Sequence, residues 1–310
     1  MRCFSGGRAF RCIGGYSMKK GISKRLAPYI FSAPTVILMT IFMGFPILYG
    51  LILGFFQWSL VDLKNAPAFA GLHNFKTLFQ NPQFWSSMKT TLIFVVSVIF
   101  VQLLLGMVIA LLLEKNLPGI RFFRSIFMLP VMISPVVVGV IWKYIYDANF
   151  GMLNYLLGLI GVPAGTWLSS EGTALLSVII TEIWQWTPFV FLILLSGLQS
   201  VPSDLMEAAV VDGASYFQTL VHVKLPCMKN IIRLVLTLRM IESMRSMVVI
   251  FIMTGGGPGI STMTLPMSTY KDAFVNQDLG SASATAIILM IMLILLTVFV
   301  KGGKEADDKH

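Results

Sequence analysis

Long apolar runs separated by short polar links make up most of the chain. Six of them approach or exceed the roughly 20 residues a helix needs to cross the hydrocarbon of a bilayer: 29–56, 90–113, 125–146, 173–198, 231–253 and 281–300. The pattern predicts an all-α polytopic membrane protein with six transmembrane helices. The first run holds Pro34 and Pro46, the third Pro130 and Pro135, and the fourth Pro188. Proline in a membrane helix frees a carbonyl and bends the rod, which serves static packing or a pathway that opens and shuts.

Composition supports lipid as the solvent. Of the 310 residues, 56% are hydrophobic and 12% charged, about half the charge fraction of a soluble domain, and the mean hydropathy is +0.81. The net charge of +9 is read as membrane topology, not as nucleic-acid binding. Cys3, Cys12 and Cys227 form no CxxC pair, so neither a disulfide framework nor a metal site is expected. His73, His222 and His310 are scattered and form no HExxH motif, which leaves them as surface or interface residues.

The basic residues orient the spans. Arg2, Arg8, Arg11, Lys19, Lys20, Lys24 and Arg25 precede the first run; Lys115, Arg121 and Arg124 lie between the second and third; Lys224 and Lys229 follow the fourth; Lys301, Lys304 and Lys309 follow the last. The loop 147–172 has no Lys or Arg, and 254–280 has only Lys271. The alternation predicts both termini in the cytoplasm. It divides the chain into a basic cytoplasmic tail 1–28, a membrane domain 29–300 and a cytoplasmic tail 301–310, with the link 199–230 also cytoplasmic. Met18, followed by a basic flank, resembles a natural start; residues 1–17 do not form a signal peptide.

The link 199–230 reads as helix, hinge, helix. Ser203 is expected to cap a first helix after Pro202, with Asp204 and Glu207 at its positive end. Ala208, Ala209, Val210 and Val211 continue it, and Gly213 supplies a left-handed end. Ser215 is expected to cap a second helix running through Val223, which Pro226 stops.

Ionisable groups at membrane depth are functional candidates by default. Glu182 lies nine residues into the fourth run, roughly 14 Å deep, and Arg239 eight residues into the fifth, roughly 12 Å deep. The two are expected to be neighbours. Arg239, Glu242 and Arg245, three residues apart, can pair along one side of a helix. Trp184, Gln185, Trp186 and Thr187, with Gln102, offer aromatic faces and hydrogen-bonding groups suited to sugar rings, although tryptophan also anchors helices at interfaces. These residues form the candidate substrate pathway. No nucleophile stands beside a base and an orienting group. The segment GGGPG, 255–259, lacks the Lys and Ser or Thr of a nucleotide loop and is expected to be a flexible outer turn. Nothing in the chain reads as an ATPase domain.

The stretch EAAVVDGASYFQTLVHVKLP, 207–226, resembles the EAA loop of permease subunits in bacterial ATP-binding-cassette importers. The match comprises Glu207, Ala208, Ala209, Asp212, Gly213, Leu225 and Pro226. The stretches WQWTPFVFLILLSGLQSVPSDLMEAA, MTGGGPG, TYKDAFVNQDLGSASATA and RFFRSIFMLPVMISPVVVGVIWKYIYDANFGMLNYLL are similar to the carbohydrate-uptake branch, and the likeness covers about 19–300. After LRMIESMR many relatives carry Phe-Asp where this chain has Met247 and Val248. The resemblance implies a non-catalytic permease that binds no cofactor itself. It would pair with a second, homologous permease and with two ATPase subunits carrying ATP and magnesium, and receive its sugar from an extracytoplasmic binding protein. Glu207 would meet a basic residue in a cleft of the ATPase. An ion-coupled carrier using Glu182, a membrane enzyme or assembly factor, and an importer of polyol or glycerol phosphate are the alternatives.

Overall fold

The computed structural model describes residues 27–61, 67–114 and 119–307. The tails 1–26 and 308–310, with Lys115 of the second link, lie outside them. The chain divides into two units, Met1–Gly50 and Leu51–His310.

The described part of the first unit is helical. Helix α1 (Ala27–Met39) passes through a wider π-helical turn, Thr40–Gly44, into α2 (Phe45–Leu53). The Phe45 amide bonds to Thr40 O, and Pro46 follows it. The wide turn absorbs the clash that a proline ring makes with the carbonyl four residues back. No part of the apolar window in Phe31–Leu53 is buried, as suits a helix whose solvent is lipid or another membrane chain.

The second unit opens with a two-stranded ribbon, β1 (Phe56–Gln57) against β2 (Ala68–Phe69). The short helix α3 (His73–Gln80) is pinned to it by buried Asn74, whose Nδ2 donates to Gly54 O at 3.0 Å and Phe56 O at 2.9 Å. Asn81 caps the long α4 (Pro82–Leu112) through Gln83 N, with Pro82 in the first turn. Phe94, Val98, Gln102, Gly106 and Ala110 of α4 are buried at a spacing of four. This is the ridge that packs along another helix at the common crossing, here α9 (Glu171–Gln199). The face of α4 away from α9 is equally apolar, with Val96, Phe100, Leu104 and Val108 exposed, so α4 shows none of the amphipathic contrast of a helix in water.

Two of the six expected spans are not single helices. Among the described residues, four helical segments are long and apolar enough to cross a membrane: Phe31–Leu53, Pro82–Leu112, Glu171–Gln199 and Leu279–Val300. The third apolar run is divided into α5 (Ile120–Phe127), α6 (Leu129–Met132) and α7 (Pro135–Ile145). Ser134 precedes Pro135 and is extended at φ −57° and ψ 137°, because a proline's Cδ pushes the preceding residue out of the helical region. The loop 147–172 contains another helix, α8 (Met152–Leu159). Asn154 in it donates to three backbone carbonyls and accepts from Gly165 N and Trp167 Nε1.

The fourth link holds α10 (Ser203–Val211), α11 (Tyr216–Thr219) and α12 (Leu225–Cys227). The fifth run divides into α13 (Lys229–Arg245) and α14 (Val248–Met253), with Ser246 extended between them. The expected flexible turn at GGGPG is instead tied down. Thr254 Oγ1 and Thr262 Oγ1 lie 2.7 Å apart, and Thr262 donates to Gly257 O. Helix α15 (Leu265–Tyr270) begins where Leu265 N donates to Thr91 Oγ1 at 2.8 Å. A π-helical turn then leads to α16 (Leu279–Asp307), where Ser281 N donates to Asp278 Oδ1.

Gly106 sets how closely α4 meets α9. A Cβ there would lie 2.8 Å from Val190 Cγ1 and 3.2 Å from Phe191 N. Gly106→Val is expected to destabilise the fold by about 1–3 kcal/mol, as overpacking does, and to lower the melting temperature in detergent. Gly158→Ala, where nothing lies within 4 Å, is expected to leave it unchanged.

Candidate functional site

The sequence candidates fall into two places: a polar cluster inside the helices and the helix-turn-helix of the fourth link.

The cluster is built on Arg239 of α13, whose side chain is fully buried. Its Nε donates to Gln102 Oε1 at 2.9 Å, and its Nη2 donates to Glu182 Oε1 and Ser243 Oγ, both at 3.2 Å. The guanidinium lies 4.8 Å from the centre of the Trp186 ring, close enough for a cation–π contact. Gln102 Nε2 donates to the Glu182 backbone carbonyl at 3.0 Å, and Ser246 Oγ to Glu182 Oε2 at 3.3 Å. Three helices, α4, α9 and α13, thus meet on one ion pair. A lone charge here would be expensive, and its partner together with the neutral donors and acceptors offsets the desolvation.

The other pathway candidates separate. Consecutive residues point about 100° apart on a helix, so 184–187 do not share a face. Gln185 turns inward and its Nε2 donates to Ile133 O at 3.2 Å, at the break between α6 and α7. Trp184 is partly exposed and stands edge-on to Trp142 at 5.5 Å. The Thr187 hydroxyl donates to Ile183 O within its own helix. Glu242 does not join a ladder through Arg239; it pairs with Arg245 at 4.0 Å, and both side chains are more than half exposed. A cavity of about 150 Å³ lies beside the cluster. Glu182, Gln185, Trp186, Glu242, Ser246 and Met247 are among its walls. Two buried polar atoms in this region, Gln185 Oε1 and Arg239 Nη1, lack a hydrogen-bond partner among the described residues.

In the fourth link, helix α10 ends in a Schellman arrangement. Ala214 N donates to Ala209 O at 2.9 Å and Gly213 N to Val210 O at 3.1 Å, with Gly213 at φ +74°, a conformation that favours glycine. Ser215 forms a reciprocal capping box with Gln218. Two expectations need correction. Pro202, not Ser203, holds the cap position of α10, and the Ser203 hydroxyl instead bonds to Asp204. Nor does Pro226 stop the second helix. A π-helical turn, Leu220–Lys224, precedes it and relieves its ring as the similar turn does before Pro46. Glu207, Ala208, Asp212, Gly213 and Pro226 are exposed, Leu225 is half-buried and Ala209 is buried. Val210, Val211, Tyr216 and Phe217 are each more than 60% exposed. A groove of about 510 Å³ runs beside Leu205, Ala208, Ala209, Gly213 and Gln218. The element is held by the turn at Gly213 and the Ser215 cap and leaves these apolar side chains exposed.

The structure adds contacts that sequence reasoning missed. Lys224, buried in the π-helical turn, places Nζ 2.6 and 2.8 Å from the two carboxylate oxygens of Glu114. Glu114 follows the C-terminus of α4, where the helix dipole disfavours an acid; that was the one available hint. Ser243 and Ser246 serve the ion pair from positions that read as ordinary small residues. Among the described residues no group of His, Cys, Asp and Glu has the makings of a metal site.

Comparison with known proteins identifies the architecture. Residues 102–302 match the family described as "Binding-protein-dependent transport system inner membrane component". The trehalose/maltose transport system permease protein of Thermococcus litoralis is 30% identical, over 90% of this chain and 94% of its own. The sn-glycerol-3-phosphate transport system permease protein of Pectobacterium atrosepticum is also 30% identical, over 87% of this chain and 91% of its own. A chain in the crystal structure of a bacterial alginate ABC transporter, in complex with an alginate pentasaccharide-bound periplasmic protein, superposes with a TM-score of 0.77 at 23% identity, over 89% of this chain and 93% of that one. The chain is therefore a member of the binding-protein-dependent transport system inner membrane components, the permease family of ATP-binding-cassette importers.

Proposed function

We infer that this permease takes up a carbohydrate, forming half of a translocation pathway that a separate ATPase drives through the α10–α12 module. The observation that carries the coupling reading is the module itself, whose two capped helices present Glu207, Val210, Val211 and a groove to a partner. Six crossings complete the topology. Residues 29–300 form the membrane domain, with the third crossing assembled from α5–α7 and the fifth from α13–α14. Both termini and the link 199–230 face the cytoplasm, in keeping with the distribution of basic residues. A second permease completes the pathway, two ATPase subunits bind ATP and magnesium, and an external binding protein delivers the solute. Closure of the ATPase pair on ATP moves the module, and the helices shift between inward- and outward-open arrangements of a two-state bundle.

The carbohydrate reading rests on the trehalose/maltose relative and on the cluster's chemistry. Arg239 is neutralised by Glu182, so the cavity beside it offers Trp186, Gln185 and Ser246 as a ring face and hydrogen-bonding groups for a neutral polyhydroxyl solute. Met247 and Val248, at the positions where many relatives carry Phe-Asp, line the same cavity and are the residues to tune its fit. Glycerol phosphate is the second reading, favoured by the glycerol-phosphate relative and by Arg245 in the cavity wall. An ion-coupled carrier is disfavoured: Glu182 is held as the counter-ion of Arg239, with both carboxylate oxygens hydrogen-bonded.

The decisive experiment is uptake into proteoliposomes holding this chain, its partner permease and the ATPase, with the external binding protein supplied. ATP-dependent accumulation of a labelled neutral sugar is expected; accumulation of glycerol phosphate alone selects the second reading. A purified complex that never retains an ATPase, or a module labelled only from outside the cell, overturns the coupling reading. Glu207→Ala is expected to lower coupled uptake about tenfold, a loss near 1.4 kcal/mol, while the chain still melts at the wild-type temperature. For the cluster, Arg239→Met alone is expected to destabilise by about 3–5 kcal/mol, because it strands Glu182. Adding Glu182→Gln is expected to recover part of that loss, and a double-mutant cycle on detergent melting measures the recovery.

A further inference from the structure

The Lys224–Glu114 pair joins two parts of the chain 110 residues apart. Lys224 belongs to the module, whereas Glu114 lies just beyond α4. The lysine side chain is 5% exposed and the carboxylate 24%. The contact engages both carboxylate oxygens, and the Tyr216 ring flanks the ammonium at 5.6 Å from its centre. It is therefore a sheltered, shaped contact, unlike the screened surface pairs that contribute little. Its position follows from the wide turn at Leu220–Lys224. From Glu114, α4 leads back to Gln102, 12 residues or about 18 Å away at 1.5 Å per residue. Gln102 holds both Arg239 and the Glu182 backbone.

We propose that Lys224 and Glu114 form a latch that makes α4 a second push-rod between the module and the buried ion pair. The covalent route runs through α12 into α13 and reaches Arg239 from one side. The latch lets the same displacement reach Gln102 from the other. A movement of the module then shifts α4 and α13 together and keeps the Gln102–Arg239–Glu182 contacts in register. Without the latch, α13 moves alone and the module's work is dissipated locally. Lys224 and Glu114 are positioning residues, since neither lines the cavity beside the cluster. The proposal rests on the reading of the module as the ATPase's docking element.

The test is the ratio of solute accumulated to ATP hydrolysed, measured on the reconstituted complex with the wild-type chain, K224M, K224R and the exchanged pair E114K/K224E. Coupling free energies between sites commonly correspond to 5- to 150-fold effects. K224M is accordingly expected to reduce the ratio about five- to tenfold while hydrolysis persists. K224R, which keeps a carboxylate-binding cation, and the exchanged pair are expected to retain most of the wild-type ratio. A wild-type ratio in assembled K224M overturns the latch and leaves the docking reading intact. Equal loss of uptake and hydrolysis in K224M, with no recovery in K224R, also overturns it, by showing a merely structural role. Should K224M fail to assemble, E114Q is judged on the same ratio. A wild-type complex with no ATP-dependent uptake removes the docking reading and the latch with it.

Discussion

A charge inside a membrane must be answered by another charge, and in this chain the answer is the contact of Arg239 with Glu182. In a medium of low polarity neither group can rely on water. Gln102 reinforces the pair from a third helix by accepting from the arginine and donating to the Glu182 carbonyl. The rotational settings of α4, α9 and α13 are therefore tied to one another. Apolar packing could not specify these settings alone, because the exposed surface of α4 is as hydrophobic as its buried one.

The irregular backbone near this cluster follows the same constraint. Unpaired backbone at membrane depth is tolerated where it meets protein or lines a cavity. Ser246 leaves the helix and turns its hydroxyl to Glu182. Ile133, in the break before Pro135, offers its carbonyl to Gln185. Both breaks lie against polar side chains of α9, so interruptions that would be defects in an isolated rod become parts of a polar recess. The two apolar runs that fail to form single long helices both contribute to this recess.

At the module the local backbone sets the arrangement. The turn at Gly213 and the Ser215–Gln218 box satisfy helix ends, while Val210, Val211 and Phe217 remain exposed. Under the proposed coupling the module acts as a lever on an interior whose polar contacts have discrete partners, and such interiors tend to switch rather than deform gradually. This is the physical basis for relating family membership to a transport cycle.

Hydropathy alone determined that the chain is helical and membrane-bound, because 20-residue apolar runs are local properties of composition. Within the stretch 207–226, Gly213 and Ser215 were legible as a turn and a cap because those functions depend on a residue's own backbone and neighbours. Tertiary structure decided which apolar runs break, which side chains of 184–187 turn inward, and that Glu242 pairs with Arg245 and not with Arg239. It alone brought Glu114 to Lys224. The physical reason is range: turns and periodicity are set within a few residues, whereas the partner of a buried charge is selected by how whole helices pack, and no local pattern records that choice.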